Sequence, residues 1–145
     1  MKKFMAVCVL ATLMSAGAAE ATVTLTFDEL PYQPVNGLSY KGVTFGFTMA
    51  GNPSTDAHYG DIGPGAMTYV QDKSLEGNAL GVLTLDFANP INLLEFGVAL
   101  DTRRPVANAY TVELFDTTLT SLGGIANNTD PLILWSEGMF SYSGT

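Results

Sequence analysis

The sequence is short of the residues that carry most covalent and charge-driven chemistry. Among 145 residues there is one cysteine, one histidine and one tryptophan, with six lysines and arginines against fourteen aspartates and glutamates. A single cysteine, Cys8, excludes an internal disulfide. The net charge of −8 argues against nucleic acid, whose affinity rests on Lys and Arg neutralising phosphates. It argues equally against anionic membrane surfaces. No apolar run reaches the ~20 residues that a membrane-spanning helix needs. The G-x-S-x-G elbow, H-E-x-x-H and the P-loop are all absent, so the common motif-borne hydrolase and nucleotide chemistries find no support.

What is present begins with a leader. Lys2 and Lys3 precede an apolar run from Phe4 to Met14, which is followed by small residues to Ala21. A positive segment, an apolar segment and a small-residue cleavage region in this order define a secretory signal peptide over residues 1–21. Ala16-Gly17-Ala18 and Ala19-Glu20-Ala21 both fit the cleavage pattern; the second is preferred because alternation starts at Thr22. Residues 22–145 then form one domain, exported or held in the cell envelope. Cleavage removes Cys8, Lys2, Lys3 and Glu20, leaving a cysteine-free chain of 124 residues with net charge −9.

Alternation of apolar and polar residues predicts half-buried strands. It runs through Thr22–Phe27, Val43–Phe47, Val82–Phe87 and Leu94–Leu100. Further strands are expected at 110–115, 132–135 and 139–142, with a short one at 67–70. All seven prolines fall between these runs, as ladder interiors require. No amphipathic helical period follows the leader. The expected fold is therefore all-β, an antiparallel β-sandwich of the jelly-roll kind.

Three places could carry chemistry. Asp28 and Glu29 close the first expected strand and offer the oxygen ligands that calcium prefers, although they are only half a site and the residues alone favour Asp28 starting a turn. The stretch 49–66 shows no strand or helix pattern, and loops of that length are often functional. It holds Asp56, His58, Tyr59 and Asp61, a sugar-facing set if the aromatic stacks and the polar tips orient a ligand. A solvated loop histidine is the plainer alternative. Arg103, beside Arg104, could meet a carboxylate or sugar at a loop tip, or pair with Asp101. Asn127-Asn128-Thr129 fits a glycosylation sequon.

The segments Leu25-Thr26-Phe27-Asp28-Glu29-Leu30, Tyr40-Lys41-Gly42-Val43-Thr44-Phe45, Leu83-Thr84-Leu85-Asp86-Phe87 and Phe140-Ser141-Tyr142-Ser143-Gly144 resemble exported bacterial β-sandwich proteins, many of which carry a Pro-Glu-Pro (PEP-CTERM) sorting signal. The resemblance implies a galactose-binding-like jelly roll, as in carbohydrate-binding modules. It also implies a structural calcium ion bridging the first and last strands, with Asp28 and Glu29 as half of its site. Similar proteins continue past the Phe140 strand and end in a tag that is missing here, so a domain truncated at Thr145 is expected, with an open sheet edge.

The functional expectation is a non-catalytic module that binds an extracellular glycan or an envelope component, with calcium as a structural ion. The alternatives are a glycan hydrolase using a pair of Asp or Glu carboxylates, for which no spacing nominates a pair, and a purely structural extracellular protein.

Overall fold

In the computed structural model, residues 5–10, 23–132 and 134–144 are described. They contain strands and no helix. The strands are β1 (Met5–Leu10), β2 (Gln33–Pro34), β3 (Ser39–Tyr40), β4 (Val43–Met49), β5 (Asn52–Pro53), β6 (His58–Asp61), β7 (Ser74–Glu76), β8 (Gly81–Phe87), β9 (Leu93–Leu100), β10 (Val106–Phe115), β11 (Ser121–Pro131) and β12 (Ser136–Ser143). One sheet runs β1-β8-β4-β3, with β5 also paired to β4; a second runs β10-β11-β12-β9; a small third runs β2-β6-β7. The protein is an antiparallel β-sandwich, and only β1 runs parallel to its neighbour, β8.

The alternation seen in the sequence builds the core. On β4, Val43, Phe45 and Phe47 are all buried while Thr44 is exposed. Its partner β8 sets Leu85 opposite Phe45 and Leu83 opposite Phe47. From the second sheet come Val98 and Leu100 of β9, Tyr110, Val112 and Leu114 of β10, and Phe140 of β12. Phe140 faces Phe96 across the β9–β12 ladder, with ring centroids 5.1 Å apart. These side chains form one continuous cluster between the sheets, which is where burial of apolar surface stabilises the fold, at about 25 cal/mol per Å².

Turns set the register. Lys41 (φ 48°) and Gly42 (φ 79°) join β3 to β4; Ala50 (φ 50°) and Gly51 (φ 79°) join β4 to β5. Two residues with positive φ make the type I′ turn, whose twist matches that of antiparallel strands. Between β10 and β11, the Asp116 carboxylate accepts from the Thr118 amide and hydroxyl and the Thr120 amide, at 2.7–2.9 Å. The Thr118 hydroxyl bond leads in holding the Asp116 carboxyl below its usual range.

Several expected elements differ. Residues 23–27 form no ladder: Leu25 and Phe27 do pack on the core, but Phe27 turns with φ 62° and Val23 is exposed. The alternation there marks a buried face rather than a pairing partner. The stretch 49–66 is not structureless, because it contains β5 and β6. Residues 67–70 make a turn closed by Met67 N–H to Val70 O. Of the strand expected at 132–135, Leu132 and Trp135 lie between β11 and β12, bonded by Leu132 N–H to Trp135 O at 2.6 Å, and Ile133 lies outside the described residues. The long strand in that region is β11, whose residues are almost all exposed; with only Thr129 buried, no alternation was needed to build it. Of the expected leader, only Met5–Leu10 lies within the described residues, as β1.

Two substitutions test this account. Phe47→Ala should lower unfolding free energy by about 3–5 kcal/mol, the usual cost of emptying a buried phenylalanine site. Ala50→Asn should raise it by a few tenths to about 1 kcal/mol, because Asn tolerates positive φ better than Ala. Urea titrations of both variants check the two opposite signs.

Candidate functional site

The best-defined cluster lies on and around β6. In a strand, neighbouring side chains point to opposite faces, and this separates His58 from Tyr59. Tyr59 is fully buried. Its ring packs edge-on against Phe27, Tyr40 and Phe45, with centroids 5.1–6.4 Å apart. Its expected place in a sugar-facing set is therefore not what the fold gives it; it is a core residue. The next residue, Gly60, has φ +77° and sits at an irregularity in the β6–β7 register. A side chain there would press on the carbonyl oxygens of Leu30 and Phe27. Glycine lets the 27–30 segment lie against β6.

That close approach brings Glu29 to Tyr59. The Tyr59 hydroxyl donates to Glu29 Oε2 at 2.5 Å. Glu29 Oε1 accepts from Lys41 Nζ at 2.8 Å and from the Thr26 amide at 3.1 Å. Lys41 Nζ also donates to the Thr24 carbonyl at 3.0 Å. Burial works against ionisation of Glu29, but the bonds from Lys41, Tyr59 and the Thr26 amide outweigh it and hold its pKa at about 2. Lys41 moves up in response to its bond with Glu29. Tyr59 moves well up through burial, then through its bond to the carboxylate. Both Glu29 oxygens are thus engaged, one by an ammonium. Asp28 is exposed and accepts from the Thr26 hydroxyl. Of the two expected calcium ligands, one already carries a cation and the other makes a local turn bond. Among the described residues, no three His, Cys, Asp or Glu side chains group as a metal site.

On the opposite face, His58 stacks on Tyr32, with centroids 4.6 Å apart and rings 7° from parallel. Tyr32 is 57 % exposed and His58 half-buried. Strand β2 sets the pair, since Pro34 lies opposite His58 in the ladder. Asp56 is exposed, with its amide on Ser54 Oγ; Asp61 accepts from the Ile62 amide at 2.8 Å. Arg103 is exposed in the β9–β10 connection, and no hydrogen bond or ion pair among the described residues links it to this set or to Asp101. Tyr32 escaped the sequence reading, although an aromatic between Pro31 and Pro34 was the available clue.

Glu137 is a second residue that alternation does not reveal. It lies on β12, buried, and accepts from the amides of Thr68 and Tyr69 at 2.9 and 2.8 Å. These bonds fasten the 67–70 turn to the second sheet. Gly97 makes room, since a side chain there would collide with the Tyr69 backbone. A cleft of about 350 Å³ opens beside it, lined by Tyr69, Asn128, Asp130 and Met139 among others. Asp130 is the ladder partner of Glu137.

No family model, curated protein or solved structure matches the chain.

The Glu29 cluster gives a pH dependence with a definite sign. A carboxyl depressed by folding adds stability above its ordinary pKa and loses that contribution as pH falls through the folded value. The Glu29 contribution is expected in full above about 4.5 and should disappear as pH falls toward 2. Thermal melts across this window should show the loss, and Glu29→Gln should flatten it. Tyr59→Phe, which keeps the ring but not the donor, should cost about 1 kcal/mol at pH 7.

Proposed function

We propose that this protein is an exported or envelope-held, non-catalytic β-sandwich module that binds a glycan on the Tyr32–His58 stack. The observation that carries the reading is a parallel aromatic pair in which strand β6 holds the half-buried His58 and the more exposed Tyr32 leads directly into β2. Apolar ring faces take the flat face of a sugar, and nearby polar tips orient it. Asp56 and Asp61 lie on the same segment as His58 and would supply such tips. The leader-like residues 1–21 support export. The resemblance to exported PEP-CTERM-type sandwiches with a jelly-roll, galactose-binding-like fold supports the same class.

A hydrolase would need two carboxylates free to donate or attack. Asp130 and Glu137 are the cross-strand pair nearest a cleft, but both Glu137 oxygens are occupied by backbone amides. That favours binding over turnover. A calcium ion at Asp28 and Glu29 would require Lys41 to leave Glu29.

A glycan array on the exported protein tests the reading. Binding is expected, and Tyr32→Ala should weaken it about tenfold, the scale of one aromatic stacking contact, with an unchanged melting temperature. Binding indifferent to Tyr32→Ala would move the site elsewhere. Glycan turnover abolished by Glu137→Gln would establish the hydrolase, and neither binding nor turnover would leave a structural role. Melts in EGTA and then in excess Ca²⁺ check the ion. Calcium bound as implied raises the melting temperature, and an unchanged value leaves the Lys41 ammonium as the cation of Glu29.

A further inference from the structure

Residues Met5–Leu10 belong to the expected leader, yet they form a complete ladder strand. They run parallel to β8 with Met5 opposite Gly81 and Leu10 opposite Asp86. They also pass close to β10. Apart from β1, β8 is the edge of the first sheet, and β10 is the edge of the second. β1 therefore lies where the two sheets meet and closes one side of the sandwich. Its sequence, Met-Ala-Val-Cys-Val-Leu, is apolar throughout. Two demands thus fall on the same six residues. Export by a cleaved leader removes them, whereas the fold uses them to cover the backbone N–H and C=O groups of β8. An uncovered edge strand is a template for another strand.

We propose that the outer edge of β8, beside β10, is a strand-accepting slot. In the unprocessed chain Met5–Leu10 fills it; after leader removal it takes an extended, apolar segment of about six residues from another protein chain, running parallel to β8, by strand addition. The occupant is defined by what is seated there: apolar, uncharged and free of proline. The slot after export rests on the leader reading, and the experiment separates the two.

The test uses the full chain carrying a specific protease site between Gly17 and Ala18. The folded chain is cut and offered a fluorescent peptide of residues 4–12. The cut chain should take up the peptide saturably, while the uncut chain takes up little, its slot being filled. A peptide with Val7→Pro and Val9→Pro should not enter, because proline cannot complete the ladder. If cutting causes aggregation or unfolding, rescue by the natural peptide and not by the proline peptide supports the slot equally. The proposal falls if the cut chain takes up neither peptide, takes both alike, or unfolds with no rescue by either. Separately, the N-terminus of the exported protein is sequenced. Retention of Met1 would sink the leader reading while the exchange assay still reports on the slot.

Discussion

The Glu29 carboxylate is the point on which the arrangement of this end of the sandwich depends. It collects donors from three separate parts of the chain: the Thr26 amide beside it, Lys41 in the β3–β4 turn and Tyr59 on β6. A lone surface ion pair contributes little. Here the ammonium is one of several donors, and the carboxylate is only 15 % exposed, so loss of one partner strands the others. Lys41 occupies a left-handed position that glycine or asparagine would fill more easily. Its ammonium gains the Glu29 carboxylate and the Thr24 carbonyl from that position. Residues 23–30, which form no ladder, are held to the sandwich by this node and by the packing of Leu25, Phe27 and Leu30.

Glu137 repeats the device at the other sheet. Each of these glutamates lies where irregular backbone crosses a strand: Glu137 accepts hydrogen bonds from the Thr68 and Tyr69 amides, and Glu29 from the hydroxyl of the buried Tyr59 and from the Thr26 amide. Buried amides without partners are costly, and an ionised carboxylate is a strong acceptor for them. In a strongly acidic chain these two carboxylates are structural ties.

The sequence revealed those parts of the fold that are two-faced. On β4, β8 and β9 one side meets the core and the other meets water, so Phe45, Leu83 and Val98 announce themselves by alternation. It was silent where that asymmetry is missing. β11 is exposed along nearly its whole length and is held by the β10 ladder, so Gly123, Gly124 and Asn127 look like loop residues. β2 and β6 are too short to show a period. Asp28 and Glu29 were legible as an acidic pair, but their partners were not. Lys41 is twelve residues away and Tyr59 thirty, and the turn and bulge that bring them in depend on Gly42 and Gly60.

The division of His58 from Tyr59 shows how a ladder sorts a sequence cluster. As loop residues, Asp56, His58, Tyr59 and Asp61 could have converged on one ligand. Pairing with β2 and β7 forces adjacent residues apart, so Tyr59 enters the core and His58 turns toward Tyr32. The two faces then carry different work. Tyr59 and Glu29 fix the position of β6, and that fixed strand holds the imidazole parallel to an exposed phenol ring. If the proposed glycan site is right, a surface built this way would need little rearrangement on binding, since preorganisation lowers that cost. The same clamp that holds Tyr59 and Glu29 in the interior would, under that proposal, keep the Tyr32–His58 face rigid enough to select a ligand.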